Sequence, residues 1–240
     1  MKIIADTHSH TLVSGHAYST IREMARAAAE KHLELLAITE HAPTMKGSCI
    51  DYYFENLKAV PREMEGIQVL FGAELNILDS AGSVDLYPEL CQNLDIVIAS
   101  IHRPCFSSDV SEETVTQAYL RVMEKPYVNI IGHPDDSRFP VNAEVLVKKA
   151  KETGTLLEVN NASLVPDSYR VNAHGILLNI LKLCKQYEVP VTTSNDAHVD
   201  SQVGDFSYVR EILNECDFPE KLVVTTDLEK LKPYLNRYKK

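Results

Sequence analysis

No apolar run in this 240-residue chain approaches the roughly 20 residues that a membrane-spanning helix needs. After Met1-Lys2 only Ile3, Ile4 and Ala5 precede Asp6, too few for the apolar core of a secretory signal, so a cytoplasmic location is expected. There is no C-x-x-C. The five cysteines, Cys49, Cys91, Cys105, Cys184 and Cys216, are odd in number and widely spaced, which argues against a disulfide framework and for free thiols in a reducing compartment. Positive charge is in deficit: 24 Lys plus Arg stand against 34 Asp plus Glu, a formal charge of −10. An extended nucleic-acid surface needs a basic footprint, so that class is disfavoured. Gly/Ser linkers, internal repeats and low-complexity segments are missing too, which leaves one domain over residues 1–240 as the expectation. What remains is ordinary globular material, 45% hydrophobic and 24% charged, enough for a normal core. Tryptophan is absent, whereas histidine occurs nine times.

Short runs rich in Ile, Val and Leu alternate with longer amphipathic ones. The short runs are Lys2–Ala5, Glu34–Thr39, Val69–Leu75, Asp95–Ile101, Val128–Gly132, Thr155–Val159 and Val189–Ser194, and they read as parallel strands buried on both faces. Helical patterns cover about Thr20–His32, Tyr53–Glu65, Leu86–Asn93, Glu112–Lys125, Ala143–Thr153, Ala173–Tyr187, Asp205–Cys216 and Leu228–Arg237. Seven strand–helix cycles with right-handed crossovers allow a barrel or an open doubly wound sheet. An eighth strand at Lys221–Thr225 would keep an eight-fold barrel open.

The strand ends carry ligand-type residues. Strand one closes in D-T-H-S-H, with His8 and His10 two apart and therefore on one face. Later strands close in T-E-H (His41), G-A-E-L-N (Glu74), S-I-H-R-P (His102), I-G-H-P (His133), E-V-N-N (Glu158, Asn160, Asn161) and S-N-D-A-H (Asp196, His198), and His16 follows strand one. Carboxyl ends of parallel strands form the active-site face of such folds, and seven of the nine histidines fall there. A single histidine at such a place is more often structural; seven together call for a shared purpose. Nine ligand-type side chains exceed the three or so protein ligands of one catalytic zinc, so two or three ions with a bridging carboxylate are expected. Imidazole-rich ligation suits zinc, iron, nickel or copper, with manganese also compatible. Asp6 and Glu40 are candidates to orient imidazoles.

These motifs, D-T-H-S-H at 6–10, T-E-H-A-P at 39–43, G-A-E at 72–74, I-H-R-P at 101–104, G-H-P at 132–134 and S-N-D-A-H at 194–198, resemble the PHP (polymerase and histidinol phosphatase) family of metal-dependent phosphoesterases. H-A-Y-S-T at 16–20 and E-V-N-N-A-S at 158–163 resemble its stand-alone YcdX-like phosphatase branch. The resemblance covers nearly the whole chain. It implies a distorted (β/α)7 barrel of TIM-barrel type, with the active site at the C-terminal ends of the strands. It also implies a three-metal site, usually zinc: one ion on His8, His10, Glu74 and Asp196, a second on bridging Glu74 with His102 and His133, a third on His16, His41 and His198. Two departures stand out: Glu40, where the related pattern often has Asp, and Asp135-Asp136, where a small residue is common.

The implied reaction is hydrolysis of small phosphate monoesters by a metal-activated water, with Glu74, Asp196, His198 and Arg103 in the catalytic set. Arg138, Arg170 and Lys46 are further cations for the substrate phosphate, weighed against plain surface roles, and His174 is a candidate for the mouth. His32, at a helix C-terminus, reads as structural. Cys49 and Cys105 lack any motif supporting a nucleophile. Alternatives are a histidinol-phosphate phosphatase, a nuclease of the same family, an amidohydrolase and a non-catalytic metal-binding protein. A small phosphorylated substrate is the expected partner, and a homo-oligomer stays open.

Overall fold

The computed structural model describes residues 1–239. Seven parallel strands run in the order β1 (Ala5–Asp6), β2 (Leu35–His41), β4 (Ile67–Asn76), β5 (Ile96–Ser100), β6 (Ile130–Ile131), β7 (Leu156–Asn160) and β8 (Val191–Ser194). The short β3 (Glu63–Met64) pairs antiparallel on β4. At the C-terminal end β1 meets β8 through a Ser9–Ala197 bridge and hydrogen bonds from Asp196 N to His8 O and from His10 N to Ala197 O. The result is the distorted seven-stranded barrel expected above. β2 is buried at every position and β4 at all but one, as strands covered on both faces must be.

Helices α1 (Ile21–Glu30), α2 (Asp51–Asn56), α3 (Pro88–Asn93), α4 (Glu112–Met123), α5 (Ala143–Thr153), α6 (Asn161–Leu164), α7 (Ala173–Tyr187), α8 (Ser207–Glu215) and α9 (Leu228–Leu231) connect the strands or follow them. Local chemistry sets their ends. Thr20 and Glu23 cap α1 reciprocally, and Gly154 stops α5 in the left-handed region. Two apolar clusters result. The larger lies between the strands and the helical layer. The smaller fills the barrel, with Leu35, Leu70, Ile96, Ile98, Ile130 and Leu156 packed on Val224, Leu231 and Leu235 of the C-terminal segment below.

Several elements differ from the sequence expectation. The helix expected over Tyr53–Glu65 ends at Asn56, followed by a 3-10 turn at Leu57–Ala59. Pro61 forces Val60 into an extended conformation, and the chain then turns into β3. The eighth strand expected at Lys221–Thr225 is replaced by two 3-10 turns, Glu220–Leu222 and Val224–Thr226. This segment still bridges the seam at the barrel floor: Val223 pairs with Val191, and Ile4 N donates to Thr225 O at 2.9 Å. The closing helix shortens to Leu228–Leu231 and continues as 3-10 turns, the first beginning at Lys232-Pro233.

Candidate metal centre

The strand ends bring the nine ligand-type side chains into one cluster. Strand alternation places His8 and His10 on the same side of the chain, and their Nε2 atoms stand 3.1 Å apart. Asp196 Oδ1 lies 3.6 Å from His8 Nε2 and 3.3 Å from His10 Nε2, and Glu74 Oε2 lies 3.5 Å from both. The other Glu74 oxygen, Oε1, is 3.0 Å from His133 Nε2 and 3.3 Å from His102 Nε2. His16 and His41 face each other with Nε2 atoms 3.2 Å apart, beside the His198 ring. His41 also turns Nδ1 to Glu74 Oε2 at 2.6 Å. A tetrahedral ion with ligands at about 2.0–2.1 Å has ligand–ligand edges of about 3.3–3.4 Å, so the spacing around His8, His10, Glu74 and Asp196 fits one.

The hydrogen bonds behind the rings settle which nitrogen faces the cluster. His8 Nδ1 donates to Glu158 Oε1 at 2.7 Å, and His102 Nδ1 donates to Asn76 Oδ1 at 2.7 Å. Ser14 Oγ gives its proton to Glu40 and therefore accepts from His10 Nδ1. His198 Nδ1 donates to the Asp196 carbonyl. All four imidazoles thus turn an Nε2 lone pair inward. With His8 neutral, lone pairs of His8 and His10, and carboxylate oxygens of Glu74 and Asp196, converge at 3.1–3.6 Å without a donor between them, and the same carboxylates draw a proton onto His8 unless a metal ion takes its place. Glu74 Oε2 and His41 Nδ1 are buried and, although 2.6 Å apart, are not aligned for a hydrogen bond to each other or to any other group. Such a concentration of acceptors is costly unless a cation neutralises it, and its imidazole and carboxylate composition suits zinc.

Electrostatics point the same way. Burial would lift the Glu74 carboxyl, but the imidazoles of His102, His8 and His41 outweigh it and hold the group well below the usual carboxylate range. Asp196 behaves likewise, with burial opposed by His8, His10 and Arg170. Burial would depress His8, yet Glu158, Glu74 and Asp196 raise it well above its ordinary value: the carboxylates create a potential that draws positive charge. Burial and the nearby His41 drive His10 well below its ordinary value, which keeps it neutral. His133 and Asp196 hold φ of +30° and +59°, uncommon for residues other than glycine and concentrated at functional positions.

Other expectations are redistributed. Asp6 and Glu40 do not contact imidazoles. Asp6 accepts from the backbone of His8, Asn195 and Gly204, and Glu40 binds Thr11 and Ser14. Glu158 and Asn76 orient rings directly, and Glu40 acts on His10 only through Ser14. Asn76 carries a legible signal, because it sits two residues beyond Glu74 on the same strand face. Glu158 stands at an expected strand end, but its link to His8 spans 150 residues of sequence. Arg170 is buried, with Nη2 3.2 Å from Asp196 Oδ2 and Nη1 3.2 Å from Ser163 Oγ, so it is no surface cation. Arg138 is held by Asp136 and stacks over the exposed Tyr169 at 4.6 Å. Asp135 is fully buried, and its carboxyl is pushed up to about 7 by burial. His174 leaves the centre and pairs with Glu215 on α8 at 2.8 Å. Arg103 and Lys46 are exposed in the loops after β5 and β2, and His32 is an exposed residue just past α1 with φ +59°.

A parallel barrel with imidazole and carboxylate clusters at its strand ends that could hold a metal ion defines a class of metallohydrolase scaffolds, and the comparisons narrow it. The PHP domain model matches residues 6–163, and the chain belongs to that family. A probable phosphatase from Clostridium novyi is 43% identical over 235 residues, spanning 98% of this chain and 95% of its own length. A probable phosphatase from Thermoanaerobacter sp. is 41% identical over 240 residues, covering 100% and 97%. Among solved structures, a histidinol phosphate phosphatase from Lactococcus lactis, complexed with zinc, L-histidinol and phosphate, superposes with a TM-score of 0.65 at 19% identity, over 90% of this chain and 94% of that one. Among the described residues, no helix is long and apolar enough to cross a membrane.

Proposed function

We propose that this chain is a metal-dependent phosphatase that hydrolyses small phosphate monoesters at a three-zinc centre. The observation that carries this reading is the convergence of imidazole nitrogens and carboxylate oxygens at 3.1–3.6 Å on one buried point that draws positive charge. Its ligand sets are His8, His10, Glu74 and Asp196; Glu74, His102 and His133; and His16, His41 and His198. Family membership and the phosphatase names of relatives over 40% identical support the reaction class. Zinc supplies Lewis-acid charge to phosphoryl oxygens and lowers the pKa of water.

The protein's own groups do the positioning. Glu158, Asn76 and the Ser14–Glu40 pair fix the rings of His8, His102 and His10, so little reorganisation accompanies the reaction. Glu74 reaches two ligand groups at once through its two oxygens. Asp196 completes the first set, and His198, half-buried beside exposed His16, faces solvent where a phosphate enters. Exposed Arg103 next to His102 offers a guanidinium to the substrate. The sheet runs unbroken from β1 to β8, and residues 220–238 pack beneath it, which supports one domain over the chain. The five cysteines are unpaired, which suits the cytoplasm.

The test joins metal analysis of the purified protein to p-nitrophenyl phosphate turnover before and after chelation. About three zinc ions per chain and loss of turnover on chelation are expected; less than one ion, or turnover indifferent to chelators, sinks the reading. A panel of sugar phosphates, histidinol phosphate and a single-stranded oligonucleotide then separates the small-molecule phosphatase from its histidinol-phosphate and nuclease alternatives.

A further inference from the structure

Asp196 has two oxygens with different neighbours. Oδ1 faces the Nε2 atoms of His10 and His8 at 3.3 and 3.6 Å. Oδ2 points away and takes Arg170 Nη2 at 3.2 Å and Asn160 Nδ2 at 3.3 Å. Arg170 is only 4% exposed, and its Nη1 is occupied by Ser163 Oγ. Its remaining Nε–H is buried without a partner. The guanidinium is therefore directed at Asp196 and closed off from the mouth. Tyr169, stacked on it at 5.0 Å, covers it, and the same ring carries Arg138 at 4.6 Å on the way to solvent. Arg170 belongs to no strand. It lies in the loop between α6 and α7, where the buried carboxyl groups of Asp135 and Glu158 also act on it, but the hydrogen bond goes to Asp196.

We propose that Arg170 is a positioning residue: it holds Oδ2 of Asp196, so that Oδ1 alone faces His8 and His10, and thereby sets the affinity of the ion bound by His8, His10, Glu74 and Asp196. A carboxylate free to rotate can turn either oxygen, or both, toward the ligands. The guanidinium removes that freedom and spreads part of the carboxylate charge over a buried contact. Asn160 gives the same oxygen a second donor, but only Arg170 adds charge. The proposal rests on the metal-centre reading, and the experiment separates the two failures.

Parent, Arg170→Met, Arg170→Lys and Arg138→Met proteins are loaded with zinc and dialysed against graded chelator. Retained metal is measured by mass spectrometry, folding by circular dichroism, and kcat and KM on p-nitrophenyl phosphate. Arg170→Met is expected to lose one ion per chain at about 10–100-fold lower chelator than the parent. Its kcat falls and its KM holds, because the residue does not touch substrate. Arg138→Met, which removes the neighbouring guanidinium, keeps the parent chelator midpoint. A folded Arg170→Met that matches the parent midpoint overturns the proposal, as does a raised KM with full metal retention, which would make Arg170 a substrate clamp. If Arg170→Met fails to fold, Arg170→Lys decides. A single ammonium cannot hold Ser163 and Asp196 together, so its midpoint falls too, and an unchanged midpoint overturns the proposal. A parent that binds no metal removes the centre itself, and this proposal with it.

Discussion

Single side chains set the chemistry of this centre through partners they meet only in the folded chain. Glu158 is buried and receives His8 Nδ1, the backbone N–H of His133 and Ser194 Oγ. One carboxylate thus positions two candidate ligands. Glu158→Gln keeps the shape and removes the charge, and zinc affinity is expected to fall about 10-fold or more while circular dichroism stays native; a chelator titration checks it. The thiols make an opposite case. Burial pushes Cys105 up to about 11 and Cys49, Cys91 and Cys184 up to about 12. A thiol with pKa near 11 is thiolate in roughly one molecule in a thousand at pH 8, and the fraction climbs only as pH approaches 11. Iodoacetamide at pH 8 should therefore label these four positions slowly and leave turnover intact; rapid labelling with inactivation at pH 7 would return a cysteine to the mechanism. The ligand types were readable because strand ends announce themselves as H-x-H, G-A-E or S-N-D-A-H. Among the orienting groups Asn76 is legible from its place two residues beyond Glu74, but the partners of Glu158 and Arg170 are not, because these contacts span 150 and 26 positions.

Elements carry these residues to one end of the barrel through close backbone contacts. Gly72 lies in the middle of β4, two residues before Glu74, where a Cβ would stand 1.9 Å from the carbonyl oxygen of Ile96 on β5. Gly72→Ala must push the two strands apart. The expected cost is about 2–3 kcal/mol or more, a fall in Tm of roughly 5–10 °C in a chain of this size, and differential scanning calorimetry measures it. The loop of His16 shows a similar closeness. Gly15, at φ +79°, would bring a Cβ to 2.3 Å from Gly47 O in the loop after His41, so two loops that carry ligand-type residues touch backbone to backbone. Most strand positions were legible from apolar runs, because strands buried on both faces must be apolar throughout. The expected Tyr53–Glu65 helix failed where Pro61 and the left-handed Glu65-Gly66 pair intervene. Both are local breakers that apolar periodicity passes over.

For the molecule as a whole, the C-terminal segment has a part that its own pattern does not reveal. Lys221–Thr225 reads as a strand because it is apolar, and it is apolar because Val224, with Leu231 and Leu235, closes the barrel floor. Burial explains the composition, and the segment adds single bridges at the seam, Val223 to Val191 and Thr225 to Ile4, rather than an eighth strand. A variant ending at residue 219 would open that floor onto Leu35, Leu70, Ile96 and Ile130. It is expected to aggregate or to bind a hydrophobic dye, as read by light scattering and fluorescence; a soluble variant with the parent Tm would contradict this.

The seam between β1 and β8 also has a consequence in time. The bond from Ile4 to Thr225 joins positions 221 residues apart, among the longest-range contacts a chain of 240 can make. Such contacts cost loop entropy before they return any stabilisation, so ring closure belongs to the slow end of folding. Until it happens, β1 and β8 present unpaired edges that another unfinished chain can pair with. The proposed metal ligands lie on both sides of that seam, His8 and His10 on one and Asp196 on the other. An ion caught between them would act as a clasp on the half-made barrel, so zinc present during refolding should raise the yield more than zinc supplied afterwards.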